Sequence, residues 1–147
     1  MKISLSLKQL FVLVAVFLIA AQFVPSEITN PPSAGPMAAP RPVAEILQRA
    51  CFDCHSHETS WPWYASVAPV SWLVARDVNR AREKVNFSTW NRLGLREQEQ
   101  KQKEIWEAVK GGHMPPPFYV LVHPGGKVTT DEHRLLRSWA GEADPGY

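Results

Sequence analysis

Cys51-Phe52-Asp53-Cys54-His55 is the stretch from which the rest of the chain is read. A C-x-x-C-H pentapeptide has the spacing of a c-type haem attachment site. Two thiols on one short turn can bond to the haem vinyl groups, and the imidazole that follows starts from the same turn and can reach the iron. Cys51 and Cys54 are the only cysteines, so at most one haem can be held covalently in this way. Three other chemistries use such residues. A redox C-x-x-C favours a βαβ setting, which the flanking sequence does not offer. A structural zinc site needs four ligands, and Cys51, Cys54, His55 with one of His57 or His113 are the available set. A disulfide across so small a loop constrains the unfolded chain little. Haem is the reading carried forward.

Immediately before the pentapeptide, Val43, Ile46, Leu47 and Ala50 recur at helical spacing after Pro42, a good first-turn residue. A short helix leading into Cys51 is expected. Further upstream, Pro25 to Pro42 contains six prolines. That composition reads as an extended, semi-rigid linker over residues 25–42. Before it, Lys2 and Lys8 precede an apolar run from Leu10 to Val24 that is broken only by Gln22. No A-x-A triplet follows the run, so residues 1–24 are expected to be an uncleaved signal anchor, a transmembrane helix with the amino terminus inside and the bulk of the chain outside. The haem reading agrees, because c-type haem is attached outside the cytoplasmic membrane.

Downstream, residues 43–147 are expected to form one domain. Trp61-Pro62-Trp63-Tyr64 through Trp72 gathers three of the six tryptophans, suited either to the wall of a porphyrin pocket or to the core of a small domain. Pro69 can start a helix running to about Val85, and Asn86-Phe87-Ser88-Thr89-Trp90 breaks it, with Ser88 as the candidate cap of a short turn. A further helix is expected from about Arg96 to Lys110, carrying a Glu99–Lys103 surface pair and closed by Gly111-Gly112. Leu121 to Lys127 reads as turn-rich loop. Thr129-Thr130-Asp131-Glu132 reads as a capping box opening a last helix, with Leu135, Leu136 and Trp139 directed inward. No alternating β-branched run is long enough for a sheet, so the fold class is all-α.

His113-Met114-Pro115-Pro116-Pro117-Phe118-Tyr119 is the second stretch with chemistry in it. Successive prolines stiffen the backbone that presents Met114. A thioether opposite an imidazole is a ligand pair that raises the potential in cytochromes c. Met114 is the only methionine in the expected domain, which makes it the candidate sixth ligand opposite His55, with His113 as its competitor. Charge excludes one class of partner. Without Lys2 and Lys8 the chain carries fourteen basic and fourteen acidic residues, and no basic stripe points to nucleic acid.

In outline the chain resembles class I cytochromes c: a helix before C-x-x-C-H, intervening helices, a methionine loop and a closing helix. It is more closely similar to a family of small bacterial envelope proteins with a single haem-binding domain. The carrying residues are Asn30-Pro31-Pro32, Cys51 to Ser56, Trp61 to Tyr64, Ala68 to Trp72, Asn86-Phe87-Ser88 and Met114-Pro115-Pro116. The resemblance implies a cytochrome c-like helical domain wrapped around one covalent haem c, with Cys51 and Cys54 as thioether sites, His55 as proximal ligand and Met114 as distal ligand. His113 stands where that family commonly has an acidic residue, so a bis-histidine arrangement stays open.

Filling both axial positions leaves outer-sphere electron transfer as the expected work, with an unidentified redox partner in the cell envelope. The expected site of action is the periplasmic face of the inner membrane, or the periplasm itself if the apolar run is cleaved. The alternative is a haem-based sensor or peroxidase-like protein with an open or displaceable sixth site, in which His113 or His57 serves as acid or base.

Overall fold

Residues 6–143 are described by a computed structural model, and among them there are α-helices, 3-10 turns and no strand. The helices are α1 (Leu7–Ala21), α2 (Arg41–Ala50), α3 (Phe52–His55), α4 (Val70–Lys84), α5 (Leu95–Lys110), α6 (Pro117–Val122) and α7 (Thr130–Trp139). The all-α expectation holds. Short 3-10 turns lie at Trp63–Ser66, Phe87–Arg92 and Pro124–Gly126.

The core forms where α2, α5 and α7 meet. Val43, Ile46, Leu47 and Ala50 are the buried face of α2, as their spacing requires. Val43, Ile46 and Leu47 pack with Phe87, Trp90, Trp106, Val109, Leu136 and Ala140. Burying a side chain such as Leu47 or Leu136 contributes about 1.5–3 kcal/mol. Within α7 the expected inward set is corrected at one position: Leu136 is buried but Leu135 lies on the wet side, because the helix is held from its N-terminus by the Thr129–Glu132 capping box in a fixed rotation.

Three local expectations are also corrected. Asn86, not Ser88, caps the turn after α4, its side chain accepting the Ser88 N–H at 3.0 Å. The Ser88 hydroxyl instead accepts the His57 N–H at 2.8 Å. On α5 the ion pairs that form are Lys101 with Glu104, 2.7 Å, and Lys110 with Glu107, 3.2 Å, rather than Glu99 with Lys103. The stretch after the prolines is not loop alone, since Pro117 starts α6.

The N-terminal expectation is revised by length. α1 is 15 residues, about 22 Å at 1.5 Å per residue, against a hydrocarbon core of about 30 Å. No helix among the described residues is long and apolar enough to cross a membrane; residues 1–5 of the expected anchor lie outside the described residues. The helix stops because the chain turns onto the domain at Gln22. Its side chain brackets the Ala68 peptide, donating to the carbonyl at 3.0 Å and accepting the N–H at 3.1 Å. Trp72 Nε1 donates to the Val24 carbonyl at 3.3 Å.

Residues 25–40 contain no helix, as their prolines dictate. The segment is laid along the domain. Arg82 donates to Thr29 O at 2.9 Å, Asn30 Nδ2 to Thr59 O at 2.9 Å, Ala34 N to Ser88 O at 2.7 Å and Asn91 Nδ2 to Pro36 O at 2.7 Å.

Candidate functional site

The C-x-x-C-H residues form one turn. Cys51 ends α2, and the amides of Cys54 and His55 both return to the Cys51 carbonyl, at 3.2 and 2.9 Å. Ser56, fully buried, stops the turn: its hydroxyl donates to Phe52 O at 2.8 Å and accepts the Glu58 N–H at 2.9 Å. α3 packs against α2 on one side and α4 on the other.

Both cysteines are free thiols, so the disulfide alternative is not adopted. Burial, with help from Cys54, pushes the Cys51 thiol up to about 12. Burial and the neighbouring Asp53 carboxylate push Cys54 up to about 11. Both are therefore neutral thiols at ordinary pH.

His55 has one ring nitrogen committed to the backbone. Its Nδ1 lies 3.0 Å from the Val85 carbonyl, which can only accept, so Nδ1 carries the proton and the Nε2 lone pair is left for a metal. Burial holds the imidazole pKa below its ordinary value, opposed by backbone hydrogen bonds at Val85 and Ala81. Phe87 meets the His55 ring edge-on at 6.2 Å and stacks on Phe52 at 5.2 Å.

The other histidines separate cleanly. His57 Nδ1 donates to Pro32 O at 3.0 Å and its Nε2 accepts from Asn86 Nδ2 at 2.8 Å; with both nitrogens engaged it has no lone pair for a metal or a proton shuttle. His113 is exposed. His123 stacks on Tyr119 at 4.4 Å and faces Tyr64 at 6.5 Å. Among the described residues no three His, Cys, Asp or Glu side chains group as a metal site, so the zinc alternative lacks its ligand set.

Met114 is half-buried and packs on the same apolar cluster as Cys51 and Phe52. Its amide and that of His113 both donate to Ala108 O, at 3.1 and 2.9 Å, and the Met114–Pro115 bond is cis. Five residues on, the Tyr119 hydroxyl donates to Asp53 Oδ2 at 2.8 Å, joining the methionine segment to the middle of the C-x-x-C turn. The Tyr119 pKa is raised by burial and by this bond to Asp53. Gly126 lies so close to the Tyr119 ring that an added Cβ would sit 2.6 Å from it.

Sequence reasoning missed Tyr119, Asp53 and Val85 as parts of the site. Tyr119 and Asp53 lay inside the two quoted motifs, and a buried-capable hydroxyl in one with a carboxylate in the other was the available signal. Val85 contributes only a carbonyl and leaves no signal. The Trp61–Trp72 cluster does not form the core: Trp63 is 80% exposed, while Trp90 and Trp106 are buried. A cleft of about 380 Å³ touches Phe52 and Phe87 but none of Cys51, Cys54, His55 or Met114, so it is not counted as part of this site.

The donor set fits a haem: two neutral thiols on one turn and an imidazole with Nε2 free. One further observation fits. Trp90 Nε1 is the only buried side-chain nitrogen or oxygen without a partner among the described residues. A stranded donor costs about 1–3 kcal/mol unless a bound group accepts from it, and haem carboxylates are such acceptors.

A helical domain with this turn belongs to the class of haem-binding proteins. Residues 16–142 match the family described as a haem-binding domain, and the chain belongs to that family. Neither curated proteins nor solved structures give a match.

Proposed function

We propose that the protein is a monohaem electron carrier of the bacterial cell envelope, holding one haem c through Cys51 and Cys54 with His55 and Met114 as axial ligands. The observation that carries this reading is the state of His55, whose Nδ1 proton is committed to the Val85 carbonyl at 3.0 Å beside two free thiols. When bound, the haem supplies a one-electron couple at iron. The chain's own residues do the rest. Val85 fixes the imidazole tautomer, Phe87, backed by Phe52, packs on the edge of the imidazole, and the methionine segment closes over an apolar cluster that excludes water.

The sensor or peroxidase-like alternative needs a free acid or base near an open sixth site, and His57, with both nitrogens bonded, is a poor one. α1 leaves Phe11, Phe17 and Ile19 exposed at 74%, 60% and 63%; apolar surface of that extent is suited to lodging in the inner membrane, with the haem domain on its periplasmic side. The redox partner would be another envelope protein, met through a domain with no net charge of its own.

Visible spectra of protein made in cells able to attach haem c test the ligand set. The expected result is a low-spin spectrum with a weak far-red sulfur-to-iron band that disappears in Met114→Ala. A wild type without the band, and unchanged by Met114→Ala, would falsify methionine ligation and favour the alternative.

A further inference from the structure

We infer that the Asp53–Tyr119 hydrogen bond is the latch that keeps the Met114 segment closed against the C-x-x-C-H turn, making Tyr119 and Asp53 positioning residues for the sixth ligand. This rests on the proposed His55/Met114 ligation.

Met114 is attached to the body of the domain at one end through its amide and that of His113, both bonded to Ala108 O on α5. Beyond it, Pro115, Pro116 and Pro117 have no N–H and a fixed φ, so they make no ladder and transmit displacement rather than absorb it. Tyr119 follows within the first turn of α6. Its hydroxyl is the first side-chain group past the prolines bonded to another element, and its partner, Asp53 Oδ2 at 2.8 Å, lies between the two cysteines. The other carboxylate oxygen accepts the Ser60 N–H at 3.1 Å, so Asp53 is itself held in place.

The ring is located independently of the hydroxyl. It lies flat on His123, at an interplanar angle of 18°, and against Gly126, which has no Cβ to interfere. Further along, Arg49, two residues before Cys51, donates to the carbonyls of Gly125 and Lys127 and pairs with Glu132. The chain beyond Met114 is thus tied to the C-x-x-C-H turn twice, within the turn at Asp53 and just before it at Arg49. Only the Asp53 tie falls close enough in sequence to set the position of the thioether.

The test uses full-length, haem-loaded protein with Tyr119→Phe, Asp53→Ala and the double variant. Tyr119→Phe keeps the ring on His123 and Gly126 and removes the donor alone. Imidazole in solution is the probe, because it binds iron only when methionine leaves. The expected result is imidazole association about tenfold faster in Tyr119→Phe, the effect of one hydrogen bond of ordinary net strength, with the far-red band lost at a lower pH than in wild type. The double variant is expected to be no faster than the faster single variant, since both remove the same bond.

A merely structural tyrosine would lower the thermal midpoint and leave the imidazole rate unchanged, and that outcome overturns the latch. So does a double variant whose two effects multiply. A wild type lacking the far-red band overturns the ligation reading and the latch with it, whereas a normal wild-type band with an unaltered Tyr119→Phe overturns the latch alone.

Discussion

Two proline-rich segments flank the C-x-x-C-H turn, and they are held in different ways. Residues 24–40 are pinned at short intervals: Trp72, Arg82, His57 and Asn91 donate to the carbonyls of Val24, Thr29, Pro32 and Pro36 respectively. The segment from His113 to Tyr119 is pinned only at its ends, by Ala108 O and by Asp53. Proline explains what the two share, an extended backbone with few donors of its own. The donors brought up by the domain explain the difference. A strap fixed along its length is part of the scaffold, while a segment fixed at two points can be repositioned by changing one residue.

The comparison is tested most severely by removing the floor under both segments. Leu47 is fully buried, and Leu47→Ala is expected to cost about 2–5 kcal/mol in urea unfolding. Amide exchange at Ala34 in the strap and at Met114 should rise together. Should only one rise, the two segments do not share a core.

The next effect separates them. Arg82 donates to Thr29 O and Asn30 Oδ1 of the strap and to Ser56 O and Thr59 Oγ1 of the adjoining loop, at 2.7 to 3.1 Å. Arg82→Leu is expected to lower stability by about 1.5–3 kcal/mol, the range for hydrogen bonds from a charged donor. Exchange should accelerate at Ala34 and stay near wild type at Met114. Equal acceleration at both sites would erase the distinction between strap and loop.

The smallest effect is one of pH, and neither segment should feel it selectively. Burial depresses the His55 pKa from 6.5, so the unfolded chain protonates first as pH falls. Stability of the haem-free protein is therefore expected to drop as pH falls from about 6.5 through the lower folded value, and to be independent of this residue above 6.5. His55→Asn should flatten that slope in denaturation measured between pH 7 and pH 4.

Much of this was legible in the chain itself. The α2 face, the α4 and α5 spans and the Thr129–Glu132 box follow from local periodicity and capping, which depend on residues three or four apart. C-x-x-C-H is likewise local, since one turn brings Cys51, Cys54 and His55 together whatever surrounds it. The family follows from those motifs. The extent of α1 did not follow, because the helix ends where Gln22 finds the Ala68 peptide, 46 residues away.

The sequence by itself determined an all-helical chain with a C-x-x-C-H turn and a methionine in a stiff proline segment, because each rests on neighbours along the backbone. Only the tertiary structure decided that His55 is aimed by the Val85 carbonyl, that His57 is spent on Pro32 and Asn86, that the proline-rich strap lies along the domain, and that Tyr119 meets Asp53. Those are contacts between residues 25 to 66 positions apart, and their partners are carbonyls and side chains that no local pattern singles out.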